Sequence, residues 1–320
     1  LSDVSTNSAD YTAFAAAVTA EIGARTDLVF DEATGLLTYT GDGNPMSDLV
    51  IDLDAIDDSL SEGPESYTVE LVTPASTTGS DITLGNASVT TVINDNDQSI
   101  WSIAGTASVD EGNTTQYTIS LSGTLQLSET ASIVLTLNDV STTSADYAAF
   151  AAAVSSAIGA RTDLVFDSGS GLLTYTGTGS PMVDLVISLD AIDDVLSEGT
   201  ESFTVDLASP STTSGANIAL GNASVSTVIN DNDGSVWSIS GDTLVDEGAT
   251  AQYTVALSGT LQTGENASII LGLSDISTNS ADYAAFATAV SNAIGARTDL
   301  VFDSGSGLLT YTGDGNPMLD

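Results

Sequence analysis

Most of the chain alternates apolar with polar residues, which is the pattern of β-strands that bury one face. Between residues 98 and 233 this alternation predicts eight strands, rich in Val, Ile, Thr and aromatic residues. They span 99–105, 115–121, 131–137, 164–167, 172–176, 182–189, 201–207 and 223–229. Gly, Ser, Asn and Asp separate them, and DSGSG at 167–171 predicts a hairpin turn. The pattern predicts a mainly β protein built as an antiparallel Greek-key β-sandwich.

The same pattern recurs along the chain. Asp57 and Asp193 occupy matching positions 136 residues apart, and the motif VINDND occurs twice at the same offset. The chain is therefore a tandem array of one unit. We expect three domains, named here the first, second and third units: a partial copy at 1–97, a complete copy at 98–233 and a partial copy at 234–320. Because both ends fall inside a unit, the chain is expected to be an excerpt of a longer protein.

One segment of each unit departs from the strand pattern. Between residues 144 and 163, apolar side chains such as Phe150 and Val154 recur at helical spacing. Ser144 or Asp146 is suited to cap the start of this helix, and Gly159 to end it. We expect an amphipathic helix that covers a sheet edge or one open end of the sandwich. The alternative is a helix that binds a partner.

Charge narrows the range of functions. The chain has 44 acidic residues against three Arg, no Lys and no His, which gives a formal charge of −41. This charge repels nucleic acid and anionic membranes and attracts multivalent cations, so we expect no nucleic-acid partner. With 42% hydrophobic residues the chain can still bury a core, unlike a disordered acidic tail. The lack of Cys excludes disulfides and thiolate metal sites. The longest apolar stretch, 147–160, is too short to span a bilayer, so we expect no membrane insertion.

The three Arg residues follow the predicted helix in each unit, at Arg25, Arg161 and Arg297. A positive charge there favours the negative end of the helix dipole. Arg161 is expected to act at the helix end or in a local ion pair with Asp163. A salt bridge between domains is the alternative.

The carboxylates lie at the ends of the predicted strands. VDEG stands near the start of the unit, SADY follows a middle strand, AIDDVLSEGTES joins two strands, and INDND closes the unit. In a Greek-key sandwich such strand ends can meet at one pole, where eight carboxylates would repel one another strongly unless they held cations. Ca²⁺ is the expected ion because it accepts about six to eight oxygen ligands from irregular loops, whereas zinc and copper prefer His or Cys. The alternative is that the acids are solvated turn residues.

Together the motifs VDEG, ADY, AIDDVLSEGTESFTVDL and LGNASVSTVINDND resemble the Calx-beta domain, a calcium-binding sandwich of sodium/calcium exchangers and giant bacterial surface proteins. The resemblance covers most of each unit. In the second unit it implies as calcium ligands Glu111, Asp146, Asp193, Asp194, the backbone carbonyl of Leu196, Glu198, Glu201, Asp231 and Asp233. In the other units it implies Asp10, Asp57, Asp58, Glu62, Glu65, Asp95, Asp97, Glu247 and Asp282.

Two features depart from that family. The helix and its following hairpin lengthen the unit, and Asn232 stands where the family can have a third acid. The number of ions in each unit therefore stays open.

Near-identical units with almost no linker suit a structural array that builds length. For bacterial members the resemblance implies a large extracellular adhesin, biofilm-matrix or filament protein, secreted and held at the cell surface. Its expected partners are calcium ions, the neighbouring units and, in a filament or matrix, other copies of the chain. No enzyme activity is expected. The alternatives are a calcium sensor or buffer and a glycoside hydrolase, which would need one acid with a raised pKa beside one that stays ionised.

The junction between units is short. VINDND gives way within two or three residues to Ile100 or Val236, which begin the next predicted strand. A linker of this length leaves little slack. If the acids of the motif are ligands, bound Ca²⁺ fixes the junction and the array becomes a stiff rod.

Overall fold

The computed structural model describes residues 1–319. Strands account for 39% of the residues and helices for 8%, so the protein is mainly β, as the alternation predicts. The strands form several small sheets, of which the largest has six strands and lies in the second unit.

The strands and helices that the units share follow one another in the same order. The first unit contains β1 Ser2–Asp3, α1 Phe14–Ile22, β2 Leu28–Asp31, β3 Leu36–Tyr39, β4 Leu60–Ser61, β5 Glu65–Glu70 and β6 Ser88–Ile93. The second contains β7 Ser99–Gly105, β8 Ser108–Asp110, β9 Thr114–Ser122, β10 Thr124–Leu125, β11 Thr130–Asp139, α2 Phe150–Ile158, β12 Leu164–Asp167, β13 Leu172–Thr176, β14 Leu185–Asp190, β15 Leu196–Ser197, β16 Glu201–Thr212, β17 Ile218–Leu220 and β18 Ser224–Asn230. The third contains β19 Val236–Gly241, β20 Tyr253–Ser258, β21 Thr260–Leu261, β22 Asn266–Ile270, α3 Phe286–Ile294, β23 Leu300–Asp303 and β24 Leu308–Thr312.

Each of the eight strands predicted in the second unit matches a strand of the structure, although β14 begins three residues later than its prediction. The predicted hairpin is confirmed, because β12 and β13 pair antiparallel across it. Four short strands, β8, β10, β15 and β17, were not predicted. With two or three residues each, they are too short to show an alternation.

Two sheets share one hydrophobic core in the second unit. The six-stranded sheet has the order β12-β13-β11-β16-β18-β8, and the four-stranded sheet has the order β14-β9-β7-β17. Tyr117 and Ile187 of the smaller sheet pack in one cluster with Ile133 and Phe203 of the larger sheet. Along β11, buried and half-buried residues alternate over six positions, as a strand with one inward face requires. The core fixes the strands whose ends carry the acids.

The helix of the second unit begins later than predicted. Ala149 occupies its N-cap position without a side-chain hydrogen bond, so neither Ser144 nor Asp146 caps it and that prediction is wrong. The carboxylate of Asp146 instead accepts the N–H of Thr143 in the preceding turn. Gly159 ends the helix as predicted, with its N–H donating to Ser155 O at 3.2 Å.

Helix α2 lies against β12 and β14, which are edge strands of the two sheets. Its Val154 is fully buried in the shared core, so the helix covers this side of the unit. Within residues 1–319, no helix is both long and apolar enough to cross a membrane.

The arginines make local ion pairs. Arg161 Nη2 lies 2.6 Å from Asp163 Oδ2, and Arg161 Nη1 donates to Val183 O at 2.8 Å. The first and third units repeat the pair with Arg25 and Arg297. All the ion pairs that the structure shows in residues 1–319 lie within one unit, so the predicted local pair is confirmed and the interdomain alternative is wrong.

Consecutive units touch through their shortest strands. β4 of the first unit pairs in parallel with β10 of the second, and β15 of the second pairs in parallel with β21 of the third. A Cβ at Gly63 would collide with the carbonyl of Ser214, so this position needs glycine for the close approach of the two units. The pairing brings the loop that follows Asp58 against the next unit.

Candidate metal centre

Acidic side chains come together in three groups, in each of which the carboxylate oxygens lie within 4.8 Å of one another. One member of each group is buried and two are half-buried. We name them by their buried members. The Asp10 group, in the first unit, consists of Asp10, Glu62 and Glu65. The second unit contains the Asp146 group, which consists of Asp146, Glu198 and Glu201, and the Glu111 group, which consists of Glu111, Asp231 and Asp233. The Asp10 and Asp146 groups are copies of each other at the 136-residue offset.

The turn before helix α2 positions Asp146. Its backbone N–H donates to Thr143 O at 3.2 Å, and its backbone O accepts the N–H of Ile192 at 2.9 Å. The next residue, Tyr147, forms an isolated β-bridge with Ala191. These bonds bring the SADY motif beside the loop that contains Asp193 and Glu198.

Asp231 ties the closing motif to the same loop. Its Oδ2 accepts the N–H groups of Glu198 at 2.9 Å and Gly199 at 3.1 Å, and its Oδ1 accepts the N–H of Asp233 at 2.8 Å. In the first unit Asp95 makes the matching bonds to Glu62 and Asp97. The Glu111 and Asp146 groups therefore lie side by side at the end of the second unit.

The Asp-Asp pair is exposed at the rim of these groups. Asn232 Nδ2 donates to Asp193 Oδ1 at 2.8 Å, and the N–H of Leu196 donates to Asp194 Oδ1 at 2.7 Å. The first unit repeats both bonds at Asp57 and Asp58. Asn232 thus anchors one of the acids. The carbonyl of Leu196 stays a prediction as a ligand.

The acids predicted in the first unit line a single cavity together with Ile93, Asn94 and Asn96. They are Asp10, Asp57, Asp58, Glu62, Glu65, Asp95 and Asp97. The acids predicted in the third unit do not come together in this way. Glu247 and Asp282 are exposed and join none of the acidic groups found in residues 1–319.

Crowding of carboxylates in a buried site raises the pKa of several glutamates. Burial, followed by repulsion from Asp231 and Asp194, raises the pKa of Glu111 to about 7. Burial, followed by repulsion from Asp194 and Asp146, raises the pKa of Glu198 to about 7 as well. The pKa values of Glu62, Glu65 and Glu201 also rise to about 7, with burial as the largest cause. The arginines do not offset this charge, because they pair with aspartates elsewhere.

One buried carboxylate oxygen of the Glu111 group has no hydrogen-bond donor within residues 1–319. Glu111 is 7% exposed, and its Oε2 finds no partner in the part of the chain that the structure describes. A buried ionised oxygen without a partner is costly, and a cation would satisfy it. The residues therefore fit a metal ion.

Two further acids of this kind were missed by the sequence analysis. Glu129 is 7% exposed and both of its carboxylate oxygens lack a partner among residues 1–319. Glu265, at the matching position of the third unit, has one such oxygen, Oε2. Only the 136-residue offset connects them in the sequence, because neither belongs to an acidic motif.

The chemistry of the donor set selects the kind of ion. All the side chains in the groups are carboxylates, and the chain contains neither His nor Cys. Oxygen donors of this kind favour hard cations such as Ca²⁺ and Mg²⁺ over zinc or copper. No protein-family model matches the chain, and no curated protein sequence matches it. The function therefore has to follow from the geometry of the acidic groups.

Proposed function

We propose that the chain is a calcium-binding structural repeat region of a large extracellular adhesin, biofilm-matrix or filament protein. The observation that carries this proposal is the set of three acidic groups at the unit ends, one of which contains a buried oxygen, Glu111 Oε2, with no partner in residues 1–319. Protein side chains offer these groups no positive charge, so a cation is the remaining source of it.

Calcium suits these groups better than magnesium. Their acids lie in turns, in a loop between strands, at the first residue of a strand and in a closing motif. Ca²⁺ tolerates irregular geometry and bidentate carboxylates, whereas Mg²⁺ demands near-octahedral geometry and keeps several waters. Calcium is also the abundant divalent cation outside cells, where we place the protein.

The proposed domain is a Greek-key sandwich of the Calx-beta kind. The start of the second unit supports this, because β7 belongs to the four-stranded sheet and β8 to the six-stranded sheet. A split first strand that serves both sheets, over one shared core, fits an immunoglobulin-like sandwich. The resemblance of the VDEG, IDD and INDND motifs supports the same assignment.

A structural role fits the junctions. Five residues, 94–98 or 231–235, separate the last strand of one unit from the first strand of the next. These linkers contain Asp95, Asp97, Asp231 and Asp233, so bound ions hold the linker itself. An array of such units is a stiff rod whose partners are its neighbouring units and, in a filament or matrix, other copies of the chain.

The electrostatics favour a cation over acid–base catalysis. Six glutamates have pKa values raised to about 7, namely Glu62, Glu65, Glu111, Glu129, Glu198 and Glu201. Glycoside hydrolysis needs one acid in each protonation state, not several alike. We therefore propose no enzyme activity.

Thermal melting of the 320-residue chain tests the proposal. Ions that bind the folded carboxylates and not the unfolded chain stabilise the fold by mass action. The melting temperature should rise with free Ca²⁺ and fall on adding chelator, and equal concentrations of Mg²⁺ should raise it less. Superimposed melting curves in Ca²⁺ and in chelator would overturn the proposal.

A further inference from the structure

A buried glutamate of the second unit lies at the boundary with the first. Glu129 immediately precedes β11 and is 7% exposed, yet both of its carboxylate oxygens lack a hydrogen-bond donor among residues 1–319. A side chain so placed either keeps its proton or faces a cation. Its surroundings decide between these states.

The contact between the units delivers Glu129 to this place. β10, which ends four residues before it, pairs in parallel with β4, where Leu60 and Ser61 lie just after Asp58. Gln126 Nε2 donates to Glu62 Oε1 at 2.8 Å across the boundary. The N–H of Glu129 donates to Gln126 O at 3.2 Å, and its O accepts the N–H of Gly177 at 2.7 Å. The turn that carries Glu129 is therefore held from both sides.

The Glu129 carboxylate interacts electrostatically with acids of the first unit. Burial and then the charge of Asp95 raise its pKa to about 7. The charge of Glu129 in turn contributes to the raised pKa of Glu65, which the charge of Asp10 raises further. Gln126, whose backbone O accepts the N–H of Glu129, is hydrogen-bonded to Glu62, so the turn that carries Glu129 lies against the Asp10 group.

The next junction repeats the arrangement. β21 pairs in parallel with β15, and Gln262 Nε2 donates to Glu198 Oε1 at 2.9 Å. The backbone of Glu265 accepts the N–H of Gly313 at 2.8 Å, and its Oε2 is buried without a partner in residues 1–319. The same strand pairing, glutamine contact and buried glutamate oxygen therefore occur at both boundaries between units.

We infer that Glu129 and Glu265 are metal ligands supplied in trans, each completing the acidic group of the preceding unit around a shared divalent cation. This inference rests on the proposed function, because it takes the Asp10 and Asp146 groups to be calcium sites. The ion then bonds to two units at once. Its affinity depends on the neighbouring unit being docked, and its removal weakens the contact between the units.

Calcium titration of the full chain, with the double variant Glu129→Gln and Glu265→Gln, tests the inference. The amide keeps the size of the side chain and removes its charge. Glu21→Gln combined with Glu32→Gln is the matched control, because both glutamates are exposed and the pair loses the same two charges. Binding is followed by calorimetry with CaCl₂, and melting temperatures are measured above pH 7 with Ca²⁺ and in calcium-free buffer.

The double variant should bind Ca²⁺ at two of its sites at least tenfold more weakly than the unaltered chain, while the control binds equally. Its melting temperature should be higher than that of the unaltered chain without calcium, because a buried unpaired charge is gone, and lower with calcium. Unchanged affinity in the double variant, beside clear binding by the unaltered chain, would overturn the inference and leave the proposed function standing. Equal drops in melting temperature in both buffers would also overturn it, since they would show a packing role. Absence of calcium binding by the unaltered chain would overturn the proposed function and the inference with it.

Discussion

In calcium-free buffer the folded chain should lose stability as its buried glutamates ionise. Burial, with repulsion from Asp231 and Asp194, raises the pKa of Glu111 from 4.5 to about 7. Burial and the charge of Asp95 raise the pKa of Glu129 to the same value. Both side chains are 7% exposed, so solvent screens their charges little.

The direction of the effect follows from the two states of the chain. Below pH 4.5 the folded and unfolded chains both hold these protons, and there is no penalty. Between pH 4.5 and about 7 the unfolded chain releases protons that the folded chain retains, so the free energy of unfolding falls. Above about pH 7 both states are ionised and the loss is complete. At about 1.4 kcal/mol for each pKa unit, it amounts to about 3 kcal/mol for each glutamate.

Circular-dichroism melts of the chain across this pH range measure the effect. For one unit of the size of residues 98–233, a loss of about 3 kcal/mol in the free energy of unfolding lowers the melting temperature by on the order of 10 °C. In the Glu111→Gln variant this side chain cannot ionise, so the melting temperature should fall less over this pH range. Asp163, whose pKa is lowered by the hydrogen bond from Arg161, titrates below this range and does not disturb it. A melting temperature that stays constant or rises between pH 4.5 and 7 without calcium would refute the reasoning.

Three further results are expected. In excess Ca²⁺ the fall with pH should disappear, because the ions bind deprotonated carboxylates and gain affinity as protons leave; the same melts with added CaCl₂ check this. Asp194→Asn combined with Glu198→Gln should reduce the calcium-induced rise in melting temperature, whereas Asp163→Asn should leave that rise unchanged; an equal reduction in both would indicate a nonspecific charge effect. Val154→Ala, at a fully buried position of α2, should lower the free energy of unfolding in urea by about 2 kcal/mol, equally with and without calcium.

The strands were predictable because their periodicity is local. β11 and β16 alternate apolar with polar residues over many positions, and the hairpin between β12 and β13 has its own turn sequence. The acids were recognisable as candidates because the 136-residue offset repeats whole motifs. Helix α2 was also predictable from its local periodicity, that is, from apolar residues at helical spacing. Its predicted start was wrong because the Asp146 carboxylate accepts a hydrogen bond within the turn before the helix.

The contacts between units could not be predicted in this way. β10 and β4 have two residues each, which is too few to show a period, and they pair only when two units dock. Glu129 stands in the polar sequence LSET, where nothing local indicates burial. Its position beside the Asp10 group depends on the strand pairing across the boundary. The sequence likewise left the role of Asn232 open, whereas the structure makes it a hydrogen-bond donor to Asp193.

Small-angle scattering of the chain, with saturating Ca²⁺ and with chelator, tests most directly whether bound ions stiffen the junctions. By the proposed function, ions held by Asp231 and the adjoining acids would fix linkers that are only five residues long. With calcium, the distribution of interatomic distances should be narrow and end at a defined maximum. Without it, repulsion among the acids should free the junctions, so that the distribution broadens and gains a longer tail. Identical distributions in the two buffers would contradict the account.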